Sequence, residues 1–205
     1  WSSDVCSSDL MRQAEIKRET RETQITASLR LDGGGTADVS TGIGFLDHML
    51  VLLAKHGRMD LVVRAQGDLD TDDHHTAEDV GIVLGQAIDR ALGDKRGICR
   101  YGQAMIPMDE ALATAVVDLS GRPWLVFTAD FTSDRVGAFS TQMTGEFFRA
   151  LAFNAGMTLH LTCPYGNNDH HKIEALFKAF ARSFKAAAAI DPQTADEIPS
   201  TKGLL

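Results

Sequence analysis

The chain has 205 residues, 44% of them hydrophobic and 23% charged, which suits one medium domain or two small fused halves and excludes a globally disordered chain. A net charge of −8 with no basic cluster argues against a nucleic-acid partner, and no apolar run is long enough to span a bilayer as a helix. Cys6, Cys99 and Cys163 stand far apart with no CxxC pair, so they offer neither a thiolate zinc site nor a disulfide framework and fit a reducing cytoplasm.

The first ten residues, WSSDVCSSDL, precede Met11 and lack the basic start and apolar run of a secretory signal; they read as a non-native leader. EIKRE, residues 15 to 19, precedes a turn. Residues 23 to 31 place Ile25, Ala27, Leu29 and Leu31 on alternate positions, the period of a half-buried strand. After the DGGGT turn, residues 44 to 57 form a long apolar stretch closed by glycine, which predicts a helix. MDLVVRAQG predicts a strand. From residue 74 to 92, Val80, Val83, Leu84, Ala87, Ile88 and Ala91 follow a helical stripe.

The second half repeats the order. ALATAVVDLS and WLVFTADF predict strands joined at residues 121 to 123, residues 144 to 156 a helix, MTLHLTC a strand, and residues 170 to 188 the last helix. His74, His75, Glu78, Val80, Leu84 and Ile88 recur 96 residues on as His170, His171, Glu174, Leu176, Phe180 and Phe184. Six positions in one register indicate duplication. The chain therefore reads as an α+β domain of two β-β-α-β-α half-domains, about 11–95 and 96–190, followed by a tail at 191–205. Neither half holds much core of its own, so the two pack as one.

The doublets carry the chemistry. Adjacent helical residues point about 100° apart, while i and i+4 share a face. One histidine of each pair can share an ion with the glutamate a turn later, and the other points to a second site. Four imidazoles and two carboxylates suit two ions, and this donor mixture fits Mn²⁺, Fe²⁺ or Zn²⁺ better than Mg²⁺ or Ca²⁺. Asp73 or Asp79 is the expected carboxylate behind a ligating ring. A single HHxxE is more often a solvated helix start; its duplication points to metal. His48 lies on the helix before the first doublet, and the repeat puts Glu146 in the same slot with one residue inserted before the glycine stop. His56 is placed to face the site from the end of the His48 helix, while His160 has no matched partner.

FLDHM, DDHHTAEDVG, HHKIEALFKA and PSTKG together resemble the imidazoleglycerol-phosphate dehydratase family from Met11 to the C-terminus. The resemblance implies a ribosomal protein S5 domain 2-like fold, with helices packed between two four-stranded sheets. It implies two Mn²⁺ per active site, other divalent transition metals being possible. The ligands would be His48, His74, His75, Glu78, Glu146, His170, His171 and Glu174; the Glu146 position is histidine in some members. Glu22 would meet the substrate beside these histidines and His56, with Glu22 and Glu174 as acid/base candidates. Arg100, Arg122, Lys178, Ser200, Thr201 and Lys202 would bind its phosphate. The expected reaction is dehydration of imidazole glycerol phosphate to imidazole acetol phosphate in histidine biosynthesis. The expected assembly is a 24-subunit homo-oligomeric shell with sites between subunits, in the cytoplasm and without a fused phosphatase domain. Two other readings of the ligand set are a dinuclear metallohydrolase acting on a phosphate ester and a non-catalytic metal-binding shell.

Overall fold

A computed structural model describes residues 11–205; the reading of residues 1–10 as a leader lies outside them. The first half runs β1 (Gln13–Glu19), β2 (Thr23–Arg30), β3 (Ala37–Ser40), α1 (Gly44–Gly57), β4 (Asp60–Gly67) and α2 (His74–Leu92). The second runs β5 (Tyr101–Met108), β6 (Ala111–Asp118), β7 (Trp124–Ala129), a short β8–β9 hairpin (Arg135–Val136, Phe139–Ser140), α3 (Met143–Asn154), β10 (Thr158–Tyr165) and α4 (Asp169–Ala188). The sheets have matching orders, β1-β2-β4-β3 and β5-β6-β10-β7. β3 and β7 run parallel to β4 and β10, and a parallel neighbour requires a crossover, which α1 and α3 supply.

Each half thus holds one main-sheet strand more than the periodicity revealed. β3 is a four-residue strand in which half-buried Ala37 and Val39 alternate with exposed Asp38 and Ser40, too short an alternation to read as a period. β5 turns Gly102, Ala104, Ile106 and Met108 inward and Tyr101, Gln103, Met105 and Pro107 outward. Apolar residues on both faces erase the period, and its proline is tolerated because β5 lies at a sheet edge.

One face of each sheet is buried under helices. Ile25, Ala27, Leu29, Leu61 and Val63 point inward at 2% exposure or less, as does the predicted α2 stripe of Val80, Val83, Leu84, Ala87 and Ile88. The helix layer closes across the repeats: α2 packs on α3 and α1 on α4. Phe148 packs against Phe177, tilted, with ring centroids 4.7 Å apart, and edge-to-face against Phe180 at 5.4 Å, fastening α3 to α4. Each such buried ring contributes about 1.5–3 kcal/mol by area. Gly81 and Gly85 set the α2–α3 spacing, because a Cβ at either would lie 2.7 or 2.6 Å from a backbone carbonyl of α3. This close approach brings the first turns of α2 and α3 together.

Candidate metal centre

On α4, His170 and Glu174 are i and i+4 and share a face; their Nε2 and Oε2 atoms are 3.1 Å apart. α1 brings His48 Nε2 to 3.5 Å from the same oxygen. The three ligand atoms all lie within 4.8 Å of one another. Ligand atoms about 2.0–2.2 Å from an ion sit roughly 3–3.5 Å from their neighbours, so this set fits a divalent ion with little movement. Glu174 is 6% exposed. Burial alone would raise its pKa, but the Lys178 ammonium, 2.5 Å from Oε1, and then His170 bring it below the ordinary value. The carboxylate is therefore kept as an anion, the form that ligates.

The repeat builds a second pocket from α2 and α3. His74 Nε2 is 3.6 Å from Glu78 Oε2. Glu146 stands where His48 stands in the first pocket. His48 and Glu146 are 98 residues apart, as are Asp60 and Thr158, the first residues of β4 and β10, so no inserted residue is needed. Between Glu78 and Glu146 lies the guanidinium of Arg149, 3.3 Å from Glu78 and 2.6 Å from Glu146. Two carboxylates sharing one cation mark a place that attracts positive charge. While Arg149 holds them, His74 and Glu78 alone are spaced for an ion; its 52% exposed side chain has room to turn away.

His75 and His171 point elsewhere, as helical geometry requires. Their rings stand at 77° to His74 and 83° to His170. Each is held at Nδ1 by a carboxylate: His75 by Asp68 at 3.0 Å and His171 by Glu110 at 2.8 Å. Asp68 raises the pKa of His75, and Glu110 that of His171. Glu110 falls to about 2, through His171 first and then the Asn168 and Asn167 N–H groups. Glu22 Oε2 lies 3.9 Å from His75 Nδ1, in an open depression of about 210 Å³ that Asp68 also lines.

Asp73 and Asp79, the carboxylates expected behind the rings, have other work. Asp73 accepts from Ser140 N and Oγ, and Asp79 from Thr23 Oγ1 with Arg18 at 3.1 Å. Both face inward, one against β9 and the other against β2. Asp68 and Glu110 replace them from loops 7 and 61 residues away from the rings they hold, a relation no short motif displays.

The expected phosphate-binding residues lie elsewhere. Arg100 donates to Asp118 at 2.8 Å and to the Pro199 carbonyl at 2.8 Å. Arg122 is 3.6 Å from Asp118, and Gly97 N–H donates to the Glu197 carbonyl. The tail that carries Ser200, Thr201 and Lys202 therefore runs beside these arginines. Asp118 ends the eight-residue strand β6 and Glu110 precedes its start, so this cation group is roughly 25 Å from the His171 end of the chain. Lys178 is the exception, since it sits on Glu174. His56 lies two helical turns beyond His48; burial, then the Lys178 and Arg182 charges, lower its pKa. His160 is on the exposed outer face of β10.

A sequence profile described as "Imidazoleglycerol-phosphate dehydratase" matches residues 41–184. Proteins with that name from Azorhizobium caulinodans and Rhodopseudomonas palustris (strain TIE-1) are 59% and 58% identical over 195 residues, covering 95% of this chain and 99% of each relative. A crystal structure of imidazoleglycerol-phosphate dehydratase from Staphylococcus aureus has a TM-score of 0.79 at 43% identity, covering 87% of this chain and 99% of that one. The Pyrococcus furiosus protein, in complex with (S)-C348, gives 0.79 at 32% identity over 93% of this chain and 100% of that one.

Proposed function

This chain belongs to the imidazoleglycerol-phosphate dehydratase family, and we propose that it works through a two-metal centre assembled between neighbouring copies. It is a hydro-lyase of histidine biosynthesis, removing water from imidazoleglycerol phosphate to give imidazole acetol phosphate. The hydrogen lost from carbon is not next to a carbonyl, so the imidazole ring must accept electron density as the hydroxyl departs.

Two Mn²⁺ ions, or other divalent transition metals, would supply Lewis acidity at the ring nitrogens when bound. His48, His170 and Glu174 would hold one, and His74 and Glu78, with Glu146 once Arg149 turns away, the other. His75 and His171 face away from both pockets and would complete those of neighbouring copies. Glu22, 56% exposed beside His75, is our acid/base group, removing the proton from the carbon next to the departing hydroxyl. Glu174, buried and tied to Lys178, serves the ion first. His56 would line the far end of the His48 pocket. Arg100, Arg122, Ser200, Thr201 and Lys202 of another copy would meet the phosphate, where several convergent donors suit a dianion.

The separation of cation group and imidazoles to opposite ends of one chain is the observation that carries this reading, because a single copy cannot reach both ends of the substrate. It supports a closed homo-oligomer, for which we propose the 24-subunit shell, in the cytoplasm. The test is to strip the protein with a chelator and assay ketone formation before and after adding Mn²⁺, with sizing in both states. Full activity without metal would defeat the metal centre, and an active monomer would defeat the shared site. Release of inorganic phosphate in place of ketone would indicate a metallohydrolase.

A further inference from the structure

The hairpin tips of the two sheets are equivalent in the repeat. Arg30 pairs with Asp60 across β2–β4, and Asp118 with Thr158 across β6–β10. Counting back along these equal strands makes Glu22 and Glu110 counterparts, each the last residue before its strand. Both face the second histidine of a doublet, but at different range. Glu110 Oε2 is 2.8 Å from His171 Nδ1, while its Oε1 accepts the Asn167 and Asn168 N–H groups at 2.9 and 2.7 Å. Glu22 stands 3.9 Å from His75 Nδ1, beyond hydrogen-bond reach. Asp68, from the loop before α2, holds that nitrogen at 3.0 Å. The corresponding loop of the second half reads Gly166-Asn167-Asn168 and offers no carboxylate.

We infer that Asp68 and Glu110 are positioning residues for His75 and His171, and that Asp68's taking this task in the first half leaves Glu22 free to act on substrate. The inference rests on the proposed reading of the two histidines as metal ligands. A carboxylate at Nδ1 accepts a hydrogen bond from Nδ1–H, so Nε2 carries the lone pair and the ring is turned to present it. The nearest acid to His171 Nε2 is Asp109 at 3.8 Å, too far for a hydrogen bond. Moving the holder from the hairpin tip to the loop is what distinguishes the two halves. One hairpin carboxylate is used up by a ring and two backbone groups, and the other is left exposed.

The test uses the full chain and Mn²⁺ alone as probe. Glu110→Gln retains an oxygen for the Asn167 and Asn168 N–H groups but turns an NH₂ toward Nδ1, which favours the tautomer protonated at Nε2. Its Mn²⁺ Kd should rise about 10–100-fold, with the metal-free Tm unchanged. Asp68→Ala, which leaves no oxygen to accept from His75 Nδ1–H, should do the same through His75, and carries the test if Glu110→Gln fails to fold. Glu22→Gln should leave the Mn²⁺ Kd within about twofold and lower kcat by about 100-fold or more. If His75→Ala and His171→Ala weaken Mn²⁺ binding while Asp68→Ala and Glu110→Gln do not, the positioning role is overturned. If the two histidine variants also bind normally, the ligand reading itself has failed. A drop in the metal-free Tm that accounts for the whole Kd change would make Glu110 only a loop anchor.

Discussion

His48 of α1 lies 3.5 Å from Glu174 of α4, so the first helix of one half and the last helix of the other build one ligand pocket. The same exchange puts Glu146 of α3 near Glu78 of α2. Neither half can assemble a pocket alone. Changing His48 to alanine should remove one ion and spare the other, leaving about half the wild-type Mn²⁺ per chain while residual binding at the first pocket weakens at least 10–100-fold, the scale even for an outer partner. Metal analysis after dialysis checks this, and full occupancy would remove His48 from the ligand set.

The spacing of the helix layer yields a second expectation. An alanine at position 85 would gain about 1 kcal/mol of helix propensity, yet its Cβ would lie 2.6 Å from the Leu151 carbonyl. Overpacking against backbone costs roughly 1–3 kcal/mol and should win. Gly85→Ala should therefore lose up to about 2 kcal/mol in denaturant unfolding, and widening the α2–α3 gap should weaken the second pocket more than the first. A stabilised variant would show that the helices have room to part.

Asp60 fixes the turn into β3. It accepts from the N–H groups of Gly34, Gly35 and Thr36 and from the Thr36 hydroxyl, at 2.8–3.1 Å. The Thr36 N–H, then its hydroxyl, hold the Asp60 pKa far below the usual carboxylate value. A depressed folded-state pKa stabilises above the unfolded value, near 4, and that contribution is lost as pH falls below it. Asp60→Asn should cost about 2–3 kcal/mol at neutral pH, the scale of hydrogen bonds to a charged acceptor. The difference from wild type should shrink as unfolding is measured down through pH 4 to 2. A difference independent of pH would assign the loss to packing.

What the sequence displayed and what it hid divide along physical lines. The α2 and α4 stripes and the doublets recur at one offset because a helix face repeats its period within a single segment. That made His74, Glu78, His170 and Glu174 readable, and Glu146 with them. β3 stayed hidden because its alternation spans only four residues, and β5 because it is apolar on both faces. With β5 unseen, the hairpin tip at Glu110 could not be matched to Glu22. The strands β2 and β6 are 88 residues apart but the doublets 96, so the helix offset does not find it. Asp68 had no signal beyond being one acid among several in DLDTDD.

The last prediction follows from the distance between the two ends of the chain. His171 sits at one end of the second sheet and Arg122 at the other, roughly 25 Å away. If one site takes its metal ligands from one copy and its phosphate cations from another, damage at the two ends should complement. Arg122 is the better choice at the cation end, because Arg100 also holds Asp118 and the Pro199 carbonyl, whereas Arg122 is 66% exposed with its acid 3.6 Å away. His171→Ala and Arg122→Ala should each give a nearly inactive homo-oligomer. Unfolding the two together in equal amounts and reassembling them should recover about a quarter of the wild-type activity, because in a closed assembly that share of sites draws an intact ligand end and an intact cation end from different copies. Mixing without reassembly should recover nothing, which controls for contaminating enzyme. If co-assembled oligomers of the right size stay inactive, both ends must serve one site from the same chain. The tail and its arginines would then have to swing across the sheet, and the shared-site reading would be abandoned.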